Sequence, residues 1–153
     1  MAPRLRGVVL WQAGLASVGL LISAYLVATH YFAEQVPLAC STGGIVDCEQ
    51  VTTSAESMVG PLPVAVLGVV WCVGYLLLLG ARAPRANSDG LLNLQMLWAV
   101  LGLVSIFYLV YAELFLIGAL CLWCTAFHLI VALLFLITLW EFTAPRAATY
   151  EAT

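Results

Sequence analysis

The sequence predicts an all-α polytopic membrane protein, a bundle of four transmembrane helices with a short extracytoplasmic helix between the first two. Three observations lead to this prediction. The chain is 64% hydrophobic and only 8% charged, whereas soluble domains carry roughly a quarter charged residues. Its apolar residues fall into four long runs, and its arginines flank these runs on one side. We expect residues 1–153 to form a single membrane domain.

The four runs approach or exceed the roughly 20 residues that a helix needs to cross a bilayer. The predicted helices span about residues 8–32, 64–79, 91–117 and 120–142. The second run is the shortest, and Pro61 and Pro63 mark its start because proline is tolerated in a first helical turn. The first run follows two arginines, as in a signal peptide. It is too long for a signal peptide's apolar core, so we interpret it as a retained helix.

The arginines indicate the orientation. The chain has no lysine, and its basic residues are Arg4, Arg6, Arg82, Arg85 and Arg146. With four crossings they all fall on one side, while the loop over residues 33–63 has neither lysine nor arginine. That loop carries the acids Glu34, Asp47, Glu49 and Glu56. The positive-inside rule therefore predicts a multi-pass protein of the cell membrane with both termini in the cytoplasm and the acidic loop outside. Without a basic patch, nucleic acid is not an expected partner.

This topology brings four of the five cysteines to the outer side. Cys40 and Cys48 lie in the loop, and Cys121 and Cys124 form a Cys-x-x-Cys pair at the outer end of the fourth helix. Such a pair cycles between dithiol and disulfide, and a helix start favours the reactive thiolate. A second pair on a mobile loop could exchange electrons with it through a mixed disulfide. Cys72 lies inside the second helix, and we interpret it as a small buried side chain.

The loop has local structure of its own. The run Ser41-Thr42-Gly43-Gly44 is typical of a turn and should leave Cys40 accessible. Asp47 and Gln50 have the spacing of a capping box, which predicts a short helix from Cys48 to about Met58. An alternative interpretation is that Cys40 and Cys48 form a permanent disulfide that only staples the loop.

The fourth helix carries a third polar residue in register with its cysteines. Cys121, Cys124 and His128 are spaced i, i+3 and i+7 and share one face. A histidine inside a membrane faces the bundle interior, where it is either hydrogen-bonded in the core or in contact with a substrate. Two cysteines and a histidine lack the fourth ligand of a closed zinc site, so we expect no metal.

These features together resemble the vitamin K epoxide reductase family. The resemblance lies in the run Cys40-(seven residues)-Cys48-Glu-Gln-Val-Thr-Thr-Ser54, the four-helix core and the late Cys121-x-x-Cys124. It extends from the first helix through the fourth. The other bacterial disulfide generator that uses quinone places its Cys-x-x-Cys pair first, so the order of the pairs favours the epoxide reductase type.

The resemblance implies a quinone-dependent thiol–disulfide oxidoreductase that supports disulfide formation. Cys124 would face the quinone, either ubiquinone or menaquinone, and Cys121 would exchange with Cys48. Cys40 would then meet an extracytoplasmic thioredoxin-fold protein. Ser54 matches the family's serine near the quinone head.

Two departures from the family pattern refine these expectations. Animal members have a tyrosine where this chain has His128, so the resemblance does not carry epoxide reduction over to it. We expect His128 to lie beneath the quinone head. Many bacterial members continue into a fused thioredoxin-like domain, whereas this chain ends eleven residues beyond Phe142. The redox partner is therefore expected to be a separate protein.

Two other functions are compatible with parts of the sequence. The chain could be a non-catalytic membrane subunit stapled by its loop disulfide. It could also be a soft-metal carrier that uses thiolates and His128. A carrier would need polar groups along a path through the bilayer, whereas only Cys72 lies away from the clustered cysteines. We therefore favour the oxidoreductase.

Overall fold

The structure, a computed structural model, describes residues 3–40, 44–83 and 89–150, with side chains for residues 7–40, 44–83 and 89–143. In chain order the helices are α1 (Pro3–Tyr31), α2 (Cys48–Thr52), α3 (Val64–Arg82), α4 (Asp89–Tyr111) and α5 (Leu122–Tyr150). A six-residue π-helical turn (Ala112–Ile117) continues α4. Four of these segments are long and apolar enough to cross a membrane: Gly7–Tyr31, Val64–Arg82, Asp89–Ile117 and Leu122–Thr143. The predicted all-α bundle of four spanning helices is therefore confirmed.

The four long helices form a closed ring. Helix α1 packs against α3 and α5, and α4 packs against the same two helices from the other side. The core between them includes Trp71, Tyr75, Ile130 and Leu134. Cys72 is fully buried in the same core, as the sequence predicts.

Two tryptophans join α3 to α4. The indole N–H of Trp71 donates to the carbonyl oxygen of Trp98 at 3.0 Å, and the indole N–H of Trp98 donates to the carbonyl oxygen of Trp71 at 3.0 Å. Glycines make room for both rings. A Cβ atom on Gly102 would lie 2.5 Å from the Trp71 ring, and one on Gly74 would lie 2.6 Å from the Trp98 ring. Close approach of helices at small residues is typical of membrane bundles.

A buried polar cluster joins all four long helices at the end of the bundle away from the cysteines. Arg82 of α3 donates to both carboxylate oxygens of Glu141 of α5, at 2.7 and 2.9 Å. Gln12 of α1 donates to Glu141 at 2.7 Å, and Gln95 of α4 donates to Gln12 at 3.4 Å. Because every partner is buried, the cluster fixes how the four helices meet.

This cluster corrects one prediction. The second membrane helix ends at Arg82 rather than near Leu79, and Arg82 is buried in an ion pair rather than flanking the helix. The expected orientation then depends on the remaining arginines. Arg85 lies outside the described residues, as do the side chains of Arg4, Arg6 and Arg146.

The loop between α1 and α3 contains α2, a 3-10 turn (Ala55–Ser57) and a two-stranded antiparallel hairpin, β1 (Met58–Val59) with β2 (Leu62–Pro63). The predicted helix to Met58 is therefore too long. Thr53 donates through its hydroxyl to the Glu49 carbonyl at 2.7 Å, and Ser54 donates to the Val51 carbonyl at 2.8 Å. Such side-chain bonds compete with helical backbone bonds and end the helix early. Residues 41–43 of the predicted turn lie outside the described residues.

Candidate functional site

The two loop cysteines are joined. Cys40 and Cys48 form a disulfide with their Cα atoms 6.0 Å apart, while Cys121 and Cys124 are free thiols. Cys48 is fully buried, and Cys40 is partly exposed. The loop cysteine pair, Cys40 and Cys48, is thus oxidised, and the helix cysteine pair, Cys121 and Cys124, is reduced. The disulfide itself fits both interpretations left open by the sequence, a redox relay and a structural staple.

A short backbone pairing brings the two cysteine pairs together. Val46 forms a parallel β-bridge with Leu120. The N–H of Leu120 donates to the Ile45 carbonyl at 2.8 Å, and the N–H of Asp47 donates to the Leu120 carbonyl at 3.1 Å. The residues that follow these two segments are Cys48 and Cys121, respectively. Both cysteines consequently lie in one buried cluster, which also contains Val51 and Ala119.

Asp47 begins α2, as the sequence predicts. Its carboxylate accepts from the backbone N–H of Gln50 at 3.0 Å. The reciprocal half of the capping box is absent, because the Asp47 N–H is already bonded to Leu120. The Gln50 side chain donates instead to the carbonyl of Ile117 at 3.2 Å. Asp47 and Gln50 therefore hold α2, and with it Cys48, against the chain that leads into Cys121.

Cys121 caps α5. The helix begins at Leu122, so Cys121 immediately precedes it rather than lying within it. The Cys121 sulfur accepts from the backbone N–H of Cys124 at 3.2 Å. The pKa of Cys121 is lowered, chiefly by a hydrogen bond from the Cys124 thiol, although burial opposes this. Cys121 is therefore the sulfur of the pair that carries thiolate character, in keeping with its position at a helix start.

A cavity of about 640 Å³ opens between the helices beside Cys124. Its volume is typical of small-molecule sites, and its wall is mainly apolar. The structure places Ser54, Cys124 and His128, the three predicted quinone contacts, on this wall. Cys121, which is fully buried, is not among the lining residues. Of the two helix cysteines, Cys124 is therefore the one that a molecule in the cavity would contact.

The residues around the cavity suit a quinone. Its rings and isoprenoid tail are apolar, and α3 and α4 supply apolar wall residues that include Trp71 and Trp98. Quinone oxygens accept hydrogen bonds, and the His128 ring carries an N–H that can donate one. The Ser54 hydroxyl donates to the Val51 carbonyl and would have to turn to donate to a quinone. His128 is buried, yet no hydrogen bond to it is found within the described parts of the chain. This favours a ligand contact for His128 over a bonded core position.

Glu113 is a site residue that sequence reasoning missed. It lies in the π-helical turn, is 4% exposed and lines the same cavity. Its carboxyl group interacts with the backbone N–H of Cys121. The sequence did contain a signal, because an acidic residue inside a membrane-spanning run is costly and usually functional. The π turn is a second indication, since such turns are frequent at functional sites.

Comparison with known proteins agrees with this geometry. A sequence model described as the Vitamin K epoxide reductase family matches residues 10–139, from α1 into the second half of α5, and its range includes both cysteine pairs. Among proteins with curated functions, none matches this chain. No group of three histidine, cysteine or acidic side chains able to hold a metal occurs in the described ranges. The family match covers most of the chain and agrees with the four-helix fold, so this protein belongs to the vitamin K epoxide reductase family, whose members are membrane thiol–disulfide oxidoreductases linked to quinone.

Proposed function

We propose that the chain oxidises a separate extracytoplasmic thioredoxin-fold protein and passes the electrons to ubiquinone or menaquinone in the membrane. The observation that carries this proposal is the continuity of the site. Cys40 is partly exposed, Cys48 packs with Cys121, and Cys124 lines the cavity. This arrangement supports an electron route over four sulfurs, from the partly exposed Cys40 to a site for an apolar ligand. The topology we propose has both termini in the cytoplasm and the cysteine loop outside.

The outer half of the reaction exchanges disulfides between proteins. A thiolate of the reduced partner attacks Cys40 of the Cys40–Cys48 disulfide, and the second partner thiol then displaces Cys40. The partner leaves as a disulfide, and two electrons and two protons remain on Cys40 and Cys48. The exposure of Cys40 relative to Cys48 supports this order.

The inner half of the reaction moves these electrons to the helix cysteine pair. Cys48 attacks Cys121 of a Cys121–Cys124 disulfide and releases Cys124 as a thiolate. Cys40 then attacks Cys48 and releases Cys121, whose lowered pKa makes it a good leaving group. The result is the state described above, with Cys40–Cys48 oxidised and Cys121 and Cys124 reduced.

The last step oxidises the helix cysteine pair beside the cavity. Cys121 and Cys124 form a disulfide, and the quinone takes up two electrons and two protons to become hydroquinone. Cys124 is placed to contact the quinone because it is the cysteine on the cavity wall. Ser54 and His128 would orient the quinone head by hydrogen bonds, which are the roles we propose for these two residues.

Quinone reduction by single variants tests the proposal. The parent protein in lipid vesicles should reduce quinone with dithiothreitol and with a reduced thioredoxin-fold protein. Cys40→Ala should lose activity with the protein donor and keep it with dithiothreitol, which can reach the inner pair directly. Cys124→Ala should lose activity with both donors.

Cys72→Ala is the matched control, because it removes a buried thiol outside the relay and should retain parental activity. Equal activity of Cys124→Ala and the parent would refute the mechanism. If quinone reduction survives in both Cys40→Ala and Cys124→Ala, the loop disulfide has only a structural role.

A further inference from the structure

The surroundings of Glu113 suit a side chain that takes part in the reaction better than one that forms a structural ion pair. Its side chain is buried, and within the described residues no arginine is paired with it, because Arg82 pairs with Glu141 at the other end of the bundle. An isolated carboxyl group inside a membrane protein is costly unless it serves a function. Its placement must therefore be explained by what it touches.

The turn after α4 holds Glu113 against the cysteine pair. The Glu113 carbonyl accepts from the N–H groups of Gly118 at 3.0 Å and Ala119 at 3.2 Å. Gly118 has a positive φ of 72°, which reverses the chain without the strain that a side chain would bring. The chain then returns so that the Cys121 N–H meets the Glu113 carboxyl group. The same carboxyl group lines the cavity that Cys124 lines.

The final redox step needs a proton path at this point. When the dithiol reduces a quinone, two S–H bonds break, one S–S bond forms, and two O–H bonds form on the quinone oxygens. The protons must therefore pass from sulfur to oxygen while the electrons pass to the quinone ring. Cys121 is fully buried and does not line the cavity, so its proton needs an intermediate carrier to reach the quinone.

We propose that Glu113 is a catalytic residue that carries a proton from the cysteine pair to the quinone oxygen. The Glu113 carboxylate accepts the proton that Cys121 gives up in becoming a thiolate, before the disulfide with Cys124 forms. The resulting carboxylic acid donates that proton into the cavity and returns to its starting form, so Glu113 is neither consumed nor oxidised. This inference rests on the proposed quinone reduction and adds the group that balances its protons.

Other titratable groups near the site are less suited to this role. Glu113 faces Cys121, just before α5, and Cys124, in its first turn, and these two thiols are the proton sources. Buried His128 of α5 shares the cavity. Helix α2 packs on the same turn, but its acid Glu49 is exposed and its cysteine is in a disulfide. His128 lies one helical turn beyond Cys124, away from Cys121. His30, Glu56 and Tyr108 also line the cavity, but among the described titratable side chains of its wall Glu113 is the one that interacts with the backbone N–H of Cys121.

The test compares Glu113→Gln, Glu113→Asp and the parent in quinone reduction driven by dithiothreitol across a range of pH. Glutamine keeps the shape and a hydrogen-bonding oxygen but cannot carry a proton. The rate should fall by about 100-fold, the lower end of what a positioned acid–base group contributes, and the pH dependence should change. Aspartate keeps the proton-carrying group and should restore part of the rate. Glu34→Gln, an exposed acid away from the cavity, should match the parent.

Exchange between the two cysteine pairs without quinone separates this role from a structural one. It should proceed at the parental rate in Glu113→Gln, because no proton goes to quinone in that reaction. A parental quinone rate and pH profile in Glu113→Gln would overturn the proposal, as would an equal loss of thiol exchange. A parent protein that reduces no quinone would instead refute the proposed function, and the two failures are thus distinguishable.

Discussion

The buried Arg82–Glu141 pair allows stability to be separated from chemistry. Glu141→Gln removes the counter-charge of Arg82, which is 8% exposed and donates to both carboxylate oxygens of Glu141. Breaking a buried pair from one side typically costs about 3–5 kcal/mol, because a charge is left buried without compensation. We expect a loss of this size in the free energy of unfolding.

The cysteines should not be affected by this change. Glu141 follows Cys121 by 20 residues along α5, which at 1.5 Å per helical residue places it about 30 Å away. At a temperature where the variant is folded, its rate of quinone reduction should therefore equal that of the parent. Reversible unfolding in mixed micelles measures the first quantity, and the quinone assay measures the second.

A double variant provides the control for this prediction. Arg82→Met combined with Glu141→Gln removes both charges and keeps an oxygen that can accept from Gln12, so it should recover most of the lost stability. A single variant that loses less than about 1 kcal/mol, a value typical of exposed pairs, would contradict the reasoning. So would a double variant that is less stable than Glu141→Gln alone.

Two further predictions concern helix packing and thiol reactivity. Gly102→Ala should destabilise the bundle by about 1–3 kcal/mol, as overpacking does, because its Cβ would lie 2.5 Å from the Trp71 ring. The control Gly14→Ala should not destabilise it, because nothing lies within 4 Å of that Cβ. Equal unfolding curves for the two variants would contradict this packing. Since the pKa of Cys121 is lowered chiefly by the Cys124 thiol, its thiolate should persist below the pH at which an ordinary thiol is protonated and be lost only as pH falls through the lowered pKa. Ultraviolet thiolate absorbance should therefore titrate at higher pH in Cys124→Ala, and an unchanged titration would show that the hydrogen bond is not the cause.

The parts of the fold that could be predicted are those that depend on composition or on interactions between residues close together in the sequence. A bilayer requires long apolar runs, so the four spanning helices were evident from run length alone. The start of α2 was evident because Asp47 caps a helix within three residues of itself. The end of α2 was not, because Thr53 and Ser54 compete for its backbone only once the helix has formed.

The parts that could not be predicted depend on contacts between distant segments. Nothing in the residues around Val46 or Leu120 indicates that they pair, yet this bridge aligns the two cysteine pairs. Arg82 has the sequence position of a flanking charge, and its partner Glu141 is 59 residues away. The proximity of Glu113 to the cysteines depends on the turn that returns the chain to Cys121, and no local pattern indicates that turn.

The central claim is that electrons pass from the loop cysteine pair to the helix cysteine pair through Cys48 and Cys121. The most direct measurement is disulfide mapping by mass spectrometry in a chain that carries Cys40→Ser and Cys124→Ser, which removes both resolving thiols. Because Cys48 and Cys121 share one buried cluster, mild oxidation should trap a bond between them in high yield. In the matched chain with Cys48→Ser and Cys124→Ser, the remaining Cys40 and Cys121 should stay mostly unpaired. A Cys48–Cys121 yield no higher than that of this control would contradict the relay.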